Sequence, residues 1–292
     1  MERRQYEKPL KVAVVVTLFF CGVEFAGGVI SGSLSLISDG GHMLVDAFAL
    51  ILSLGAMIVA RKLPTMDRTF GYHRVEIMAA LANSIVLILL SAVITWEALE
   101  RLANPRPVSV SLMFFVALIG LAANIFIAFL LHGSHDLNVK SAFLHVIGDA
   151  LSSVAVVGAA VWITLTGQTF MDPVLSIVIV AVILVSAFRI LRETLTILLQ
   201  FTPKDTNPEE VIADILSVEG VEGVHNVHLW SLCSHINIID AHVFSSERRP
   251  EVIERMKGEI KSRLAKYDIK HSTLEFECTE CEDRSLVREI VA

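Results

Sequence analysis

The sequence predicts an α-helical membrane protein: six transmembrane helices followed by a small cytoplasmic α+β domain. Three observations carry this. The 292-residue chain is 54% hydrophobic with a mean hydropathy of +0.64, too apolar for an ordinary soluble domain. Apolar segments recur six times, each near or above the roughly 20 residues that cross a bilayer. Charge is uneven: residues 1–202 hold 13 basic and 13 acidic side chains and residues 203–292 hold 11 and 18, so the whole net charge of −7 lies in the tail. The expected boundary is therefore 202/203. An acidic tail without basic stripes argues against nucleic acid as a partner.

The spans are expected at about residues 11–30, 34–60, 77–99, 108–131, 140–165 and 173–199, near the length a bilayer requires. Turn-forming stretches separate them: SGS at 31–33, KLPTMDRTFGYHR at 62–74, NPRP at 104–107, HGSHDLN at 132–138 and TGQTFMDP at 166–173. The first apolar run is too long for a signal peptide and lacks a small-residue cleavage pattern, so it is read as retained. Arg3, Arg4, Lys8, Lys11, Arg61, Lys62, Arg68, Arg74, Lys140, Arg189, Arg192 and Lys204 fall on one side, and only Arg101 and Arg106 on the other. The positive-inside rule then puts both termini in the cytoplasm. Trp96 and Trp162 sit at the outer ends of spans three and five, as in an aromatic belt.

In the tail, Thr206 or Asn207 followed by Pro208, Glu209 and Glu210 marks a helix start. VEGVHNVHLWSL and INIIDAHVFS read as two strands, Pro250 opens a second helix, and HSTLEFEC supplies a third strand. The order αββαβ predicts one layer of helices on one sheet. The four cysteines, at 21, 233, 278 and 281, form no disulfide framework, and CTEC at 278–281 has metal or redox spacing.

The spans contain a costly feature. An ionisable side chain at mid-bilayer costs about 2.5–3.5 kcal/mol on insertion scales. Span two nevertheless carries His42 and Asp46, and span five carries His145 and Asp149. Both pairs are HxxxD, a spacing of about one helical turn, so each pair shares a helix face. Two such helices facing each other converge two imidazoles and two carboxylates, a set suited to a tetrahedral divalent ion such as zinc. Two carboxylates also neutralise the dication. A single HxxxD is equally a structural polar contact; its repetition in two spans favours metal. Two imidazoles tilt the site towards zinc, cadmium and cobalt rather than manganese. Asp39 precedes His42 by three residues and is the candidate for a proton relay, with a simple cap residue as the bland reading. Glu24 and Asn124 are read as helix-packing hydrogen bonds, and Gly27, Gly28 and Gly32 as sites of close helix approach.

SGSLSLISDGGHMLVD at 31–46, FGYHRVEIMAALAN at 70–83, SAFLHVIGDALSSV at 141–154 and VHNVHLW…AHV in the tail resemble the cation diffusion facilitator family, in its zinc-type form with HxxxD in spans two and five. The resemblance covers nearly the whole chain. It implies proton-coupled efflux of zinc, with cadmium or cobalt as further substrates, across the inner membrane by a homodimer with a copper-chaperone-like tail. It implies transport ligands His42, Asp46, His145 and Asp149, and a regulatory zinc site in the tail at His225, His242 and Glu277, joined by Cys278 and Cys281. His228 is expected on the opposite strand face from His225 by period-two alternation. For relatives that bind metal between spans two and three, this chain offers Asp67 and His73.

No catalytic cofactor is expected. An intramembrane metallohydrolase would need a general base such as that of HExxH, which the sequence lacks, and no Walker motif marks a primary pump. The remaining alternative is a metal-gated channel or membrane sensor without proton coupling.

Overall fold

The computed structural model describes residues 3–132, 137–279 and 285–287. Six long helices come first: α1 (Arg3–Ser31), α2 (Leu34–Ala60), α3 (Arg74–Ala103), α4 (Val110–Leu131), α5 (Leu137–Thr166) and α6 (Met171–Leu198). Helices α3 to α6 are long and apolar enough to cross a membrane by length and composition, and α1 contributes the apolar run Val15–Ser31. The tail follows as α7 (Pro208–Leu216), β1 (Gly223–Cys233), β2 (Ile236–Phe244), α8 (Pro250–Leu264) and β3 (Ile269–Glu277), the expected αββαβ order. The chain forms two compact units, residues 1–54 with 82–190, and residues 55–81 with 191–292. The second therefore takes in the segment between α2 and α3 as well as the tail.

In the first unit, Leu36, Leu87, Met113, Val156, Ala160 and Ile183 form one apolar core drawn from α2 to α6. Trp96, Phe129 and Leu165 are at least 75% exposed, as required where the surrounding solvent is hydrocarbon. Small residues set how closely the helices pack. A Cβ on Gly40 of α2 would lie 2.6 Å from the backbone nitrogen of Phe25, and one on Gly28 of α1 would lie 2.7 Å from that of Ile37. These glycines press α1 against α2, as expected for Gly28.

The start of α2 is held from a distance. Asp172, fully buried on α6, accepts hydrogen bonds from Ser33 Oγ (2.7 Å), the Leu34 N–H (2.7 Å), the Ser35 N–H (3.1 Å) and Ser35 Oγ (2.6 Å). A carboxylate from another helix thus satisfies the orphan donors of the first turn. Arg101 donates to the Gly32 carbonyl and pairs with Glu97 at 2.8 Å, and the Ser109 N–H donates to the Ser31 carbonyl at 2.7 Å. The α1–α2 turn is tied to three other elements.

In the second unit, β1 and β2 pair antiparallel, and β3 joins β2 in parallel, giving the order β1-β2-β3. One face is covered by α7 and α8: Val211, Ile215, Ile239, Val243, Met256, Ile260 and Leu264 are all at most 2% exposed. Asn207 caps α7 by accepting from the Glu209 N–H at 3.0 Å. Lys266 and Tyr267 both bond Asp214 of α7, and the Lys266 hydrogen bond leads in holding that carboxyl below its ordinary value. The segment at Ser285 and Leu286 runs along β1, accepting from the N–H groups of Asn226 (3.1 Å) and Val227 (2.7 Å).

Candidate metal centres

Both HxxxD motifs fall the same number of residues from the start of their helices. His42 and Asp46 are residues 9 and 13 of α2, and His145 and Asp149 are residues 9 and 13 of α5. Because α5 begins at Leu137, three residues before the expected start, Asp149 moves towards mid-helix. At about 1.5 Å per residue, each carboxylate lies roughly 18 Å along its helix. His42 Nε2 is 3.5 Å from Asp46 Oδ2, an ion-pair distance rather than a hydrogen bond. Asp149 is 6% exposed. The side chain of His145 lies outside the described residues.

The surrounding charges show which helices share this region. The Cys21 thiol of α1, itself bonded to the Gly40 carbonyl at 3.3 Å, feels the charges of Glu24, Asp39, Asp46 and Asp149. Asp149 also acts electrostatically on Glu24 and Asp39. Carboxylates from α1, α2 and α5 therefore occupy one neighbourhood, and Glu24, Asp39 and Asp149 are all nearly inaccessible. Four acids together in a low-dielectric interior cannot all be ionised without a compensating cation, and a dication supplies that compensation.

Two minor expectations fare differently. Asn124 of α4 donates to Ser153 Oγ of α5 at 3.4 Å, a helix-packing bond as expected. For Glu24, one carboxylate oxygen, Oε2, is buried without a hydrogen-bond partner among the described residues. Its carboxylate occupies the space beside Gly120 of α4, where a Cβ would fall 1.6 Å from Oε1. The Asp172 contacts are not legible in TGQTFMDP, which reads as a turn; the Ser33 and Ser35 hydroxyls they use lie 139 and 137 residues away.

In the tail, one ligand atom each from His225, His242 and Glu277 lies within 4.8 Å of the others, the one such group of three among the described residues. His242 Nδ1 is 2.7 Å from Glu277 Oε1, and His225 Nε2 is 3.2 Å from Glu277 Oε2. The latter two atoms are buried and misaligned for a hydrogen bond, so both lack a hydrogen-bond partner. Orphaned buried polar atoms are costly, and a metal ion between an imidazole nitrogen and a carboxylate oxygen satisfies both. The donor set thus fits a zinc-like ion. Cys278 is exposed and its thiol donates to the Glu247 carbonyl at 3.6 Å, outside this group. Cys281 lies outside the described residues. Asp67 and His73 line a cavity of about 710 Å³ with Phe70, Tyr72 and Trp230 and join no group of three.

The expectation for His228 is corrected. His225 pairs with His242 and His228 with Asp240, so three steps along β1 match two along β2. This bulge absorbs the extra residue and returns His228 to the face of His225. Asn226 makes it possible by adopting φ 50°, a left-handed conformation that asparagine tolerates.

Comparison with known proteins agrees with this architecture. Residues 10–199 match the family model for the cation efflux transmembrane domain, and residues 203–277 match that for the cation efflux protein cytoplasmic domain. The chain is 39% identical over 281 residues to the zinc transporter ZitB of Pectobacterium atrosepticum, covering 94% of this chain and 87% of the relative. It is 38% identical over 280 residues to the metal cation efflux system protein CzcD of Cupriavidus metallidurans, covering 94% and 88%. It is 34% identical over 276 residues to the cadmium, cobalt and zinc/H(+)-K(+) antiporter of Bacillus subtilis, covering 93% and 89%. A multi-pass helical domain followed by a three-stranded cytoplasmic domain, matched along nearly its full length, makes this chain a member of the cation diffusion facilitator family.

Proposed function

We propose that this protein exports zinc from the cytoplasm in exchange for protons, with cadmium and cobalt as further substrates, by alternating access at His42, Asp46, His145 and Asp149. The observation that carries the reading is the repeated HxxxD: Asp46 and Asp149 sit at matching helix positions and both act on the Cys21 thiol. The names of the relatives support the substrate class, since they include zinc transporters and a cadmium, cobalt and zinc antiporter.

Metal binding requires neutral imidazole and ionised carboxylate, so zinc displaces protons and protons displace zinc. Histidine changes charge close to physiological pH, so a modest proton gradient suffices to reset such a site. In the inward-facing state the four side chains take zinc from the cytoplasm. In the outward-facing state protons discharge it, and the protonated site returns. Asp39, buried at 2% exposure on the same helix as His42, passes protons to the site from the outer side. The positive-inside distribution supports cytoplasmic termini in a bacterial inner membrane.

The domain boundary is set at 202/203, with 1–202 for transport and 203–292 for metal binding and dimerisation. The cytoplasmic domain joins two copies into a homodimer. His225, His242 and Glu277 hold a regulatory zinc whose differential affinity for the two transporter states sets its effect.

The test is zinc uptake by proteoliposomes under an imposed pH gradient. The expected result is accumulation above the external zinc concentration that stops when the gradient is collapsed and is lost in Asp149→Ala. Downhill flux alone, indifferent to the gradient, would favour the channel reading.

A further inference from the structure

Asn226 reaches two histidines from the open face of the tail sheet. Its Nδ2 lies 3.1 Å from His242 Nε2, and its Oδ1 lies 3.2 Å from His228 Nε2. Its backbone N–H is held by the Ser285 carbonyl. Its left-handed backbone creates the bulge that brings His225 and His228 onto one face. One carboxamide therefore links the ring of His242 to a fourth side chain, His228, that is not among the three converging ligand atoms.

The polarity of this chain of hydrogen bonds follows from the tautomer of His242. His242 Nδ1 faces the Glu277 carboxylate at 2.7 Å, whereas Nε2 lies 3.6 Å from the exposed Glu275 carboxylate, so the neutral ring places its proton on Nδ1 and Nε2 accepts from Asn226 Nδ2–H. The Asn226 Oδ1 then accepts from His228 Nε2–H. A metal held between His225, His242 and Glu277 takes the Nδ1 lone pair of His242 and leaves that ring's proton on Nε2. Nε2–H now faces an N–H donor, a contact that must be relieved. Turning the carboxamide over relieves it: Oδ1 accepts from His242 Nε2–H, and Nδ2–H donates to His228 Nε2, whose proton moves to Nδ1.

We propose that Asn226 is the positioning residue of the tail metal site, and that metal on His242 reverses its carboxamide and so switches the tautomer of His228. The inference rests on the reading of His225, His242 and Glu277 as a metal site. Ligating histidines held by a partner on the other ring nitrogen typically lose about 10- to 100-fold in metal affinity when that partner is removed.

The test uses the full-length protein in detergent, with Zn2+ as probe and Asp46→Ala and Asp149→Ala included to silence the intramembrane site. Asn226→Gly keeps the positive φ and the bulge but removes the carboxamide, so it separates the side chain from the fold. It is expected to weaken tail zinc binding by about 10- to 100-fold. Asn226→Asp, whose carboxylate accepts from His242 Nε2–H, is expected to restore it. In histidine-15N-labelled protein, zinc is expected to shift the His228 ring proton from Nε2 to Nδ1, a change absent in Asn226→Gly. Wild-type affinity in Asn226→Gly, or an unchanged His228 tautomer on zinc addition, would overturn the proposal; so would weak binding in Asn226→Asp. His225→Ala checks the underlying reading: if it binds tail zinc as wild type does, the site itself is wrong and the inference goes with it.

Discussion

Replacing Asp172 with asparagine removes one of two carboxylate oxygens and the charge, without changing size. In the structure Oδ1 accepts from Ser33 Oγ, Ser35 Oγ and the Ser35 N–H, while Oδ2 alone serves the Leu34 N–H. An amide that keeps its oxygen at the three-donor position must aim N–H at N–H of Leu34. Leaving one buried donor unsatisfied costs about 1–3 kcal/mol. Removing a negative charge from the N-terminus of α2 costs about 0.3–1 kcal/mol more, rising to about 2 in buried geometry. The expected destabilisation is therefore about 1.3–5 kcal/mol. Unfolding of the purified protein by titration with a denaturing detergent, followed by tryptophan fluorescence, measures it. Ser33→Ala in the Asp172→Asn background should cost less than in wild type, because residues of one network are not additive. A change below about 0.5 kcal/mol, the level of an ordinary surface substitution, would refute the assignment of Asp172 as the cap of α2.

Three further outcomes are expected. Gly120→Ala places a Cβ where Glu24 Oε1 now sits, so it should displace that carboxylate and destabilise the bundle by about 1–3 kcal/mol; the same detergent titration checks it, and Glu24→Ala should relieve the penalty. Ile260→Ala removes a fully buried side chain from the tail core and should cost about 2–5 kcal/mol, read from chemical unfolding of the tail. Glu247, bonded by Arg249 at its side chain first and backbone second, is held down to about 2 from an ordinary 4.5. A lowered folded value means that its stabilising effect is complete above 4.5 and fades as pH falls towards 2. Circular dichroism melts across that window should therefore show a smaller acid loss in Glu247→Gln than in wild type.

Much of the architecture was legible because it follows from periodicity and from cost. Six apolar runs declare six helices, and His42, Asp46, His145 and Asp149 stand out because ionisable groups are expensive where they lie. Local chemistry also marked the tail: Asn207 and Pro208 open α7, and Pro250 opens α8, as expected. What was not legible depends on partners distant in the chain. Asp172 looked like a turn residue because its donors lie more than 130 residues away. Nothing in the sequence tells that the Glu24 carboxylate lies against Gly120, 96 positions further along the chain. His228 was assigned to the wrong face because alternation counts residues and cannot see that Asn226 steps out of the ladder.

The central claim is that α2 and α5 hold one metal ion between them. Equilibrium zinc binding to full-length protein carrying His225→Ala and His242→Ala, which leaves the intramembrane ligands alone, tests it directly. A single site per chain, abolished equally by Asp46→Ala and by Asp149→Ala, is the result expected. Two independent sites, each lost only with its own helix's carboxylate, would contradict the account.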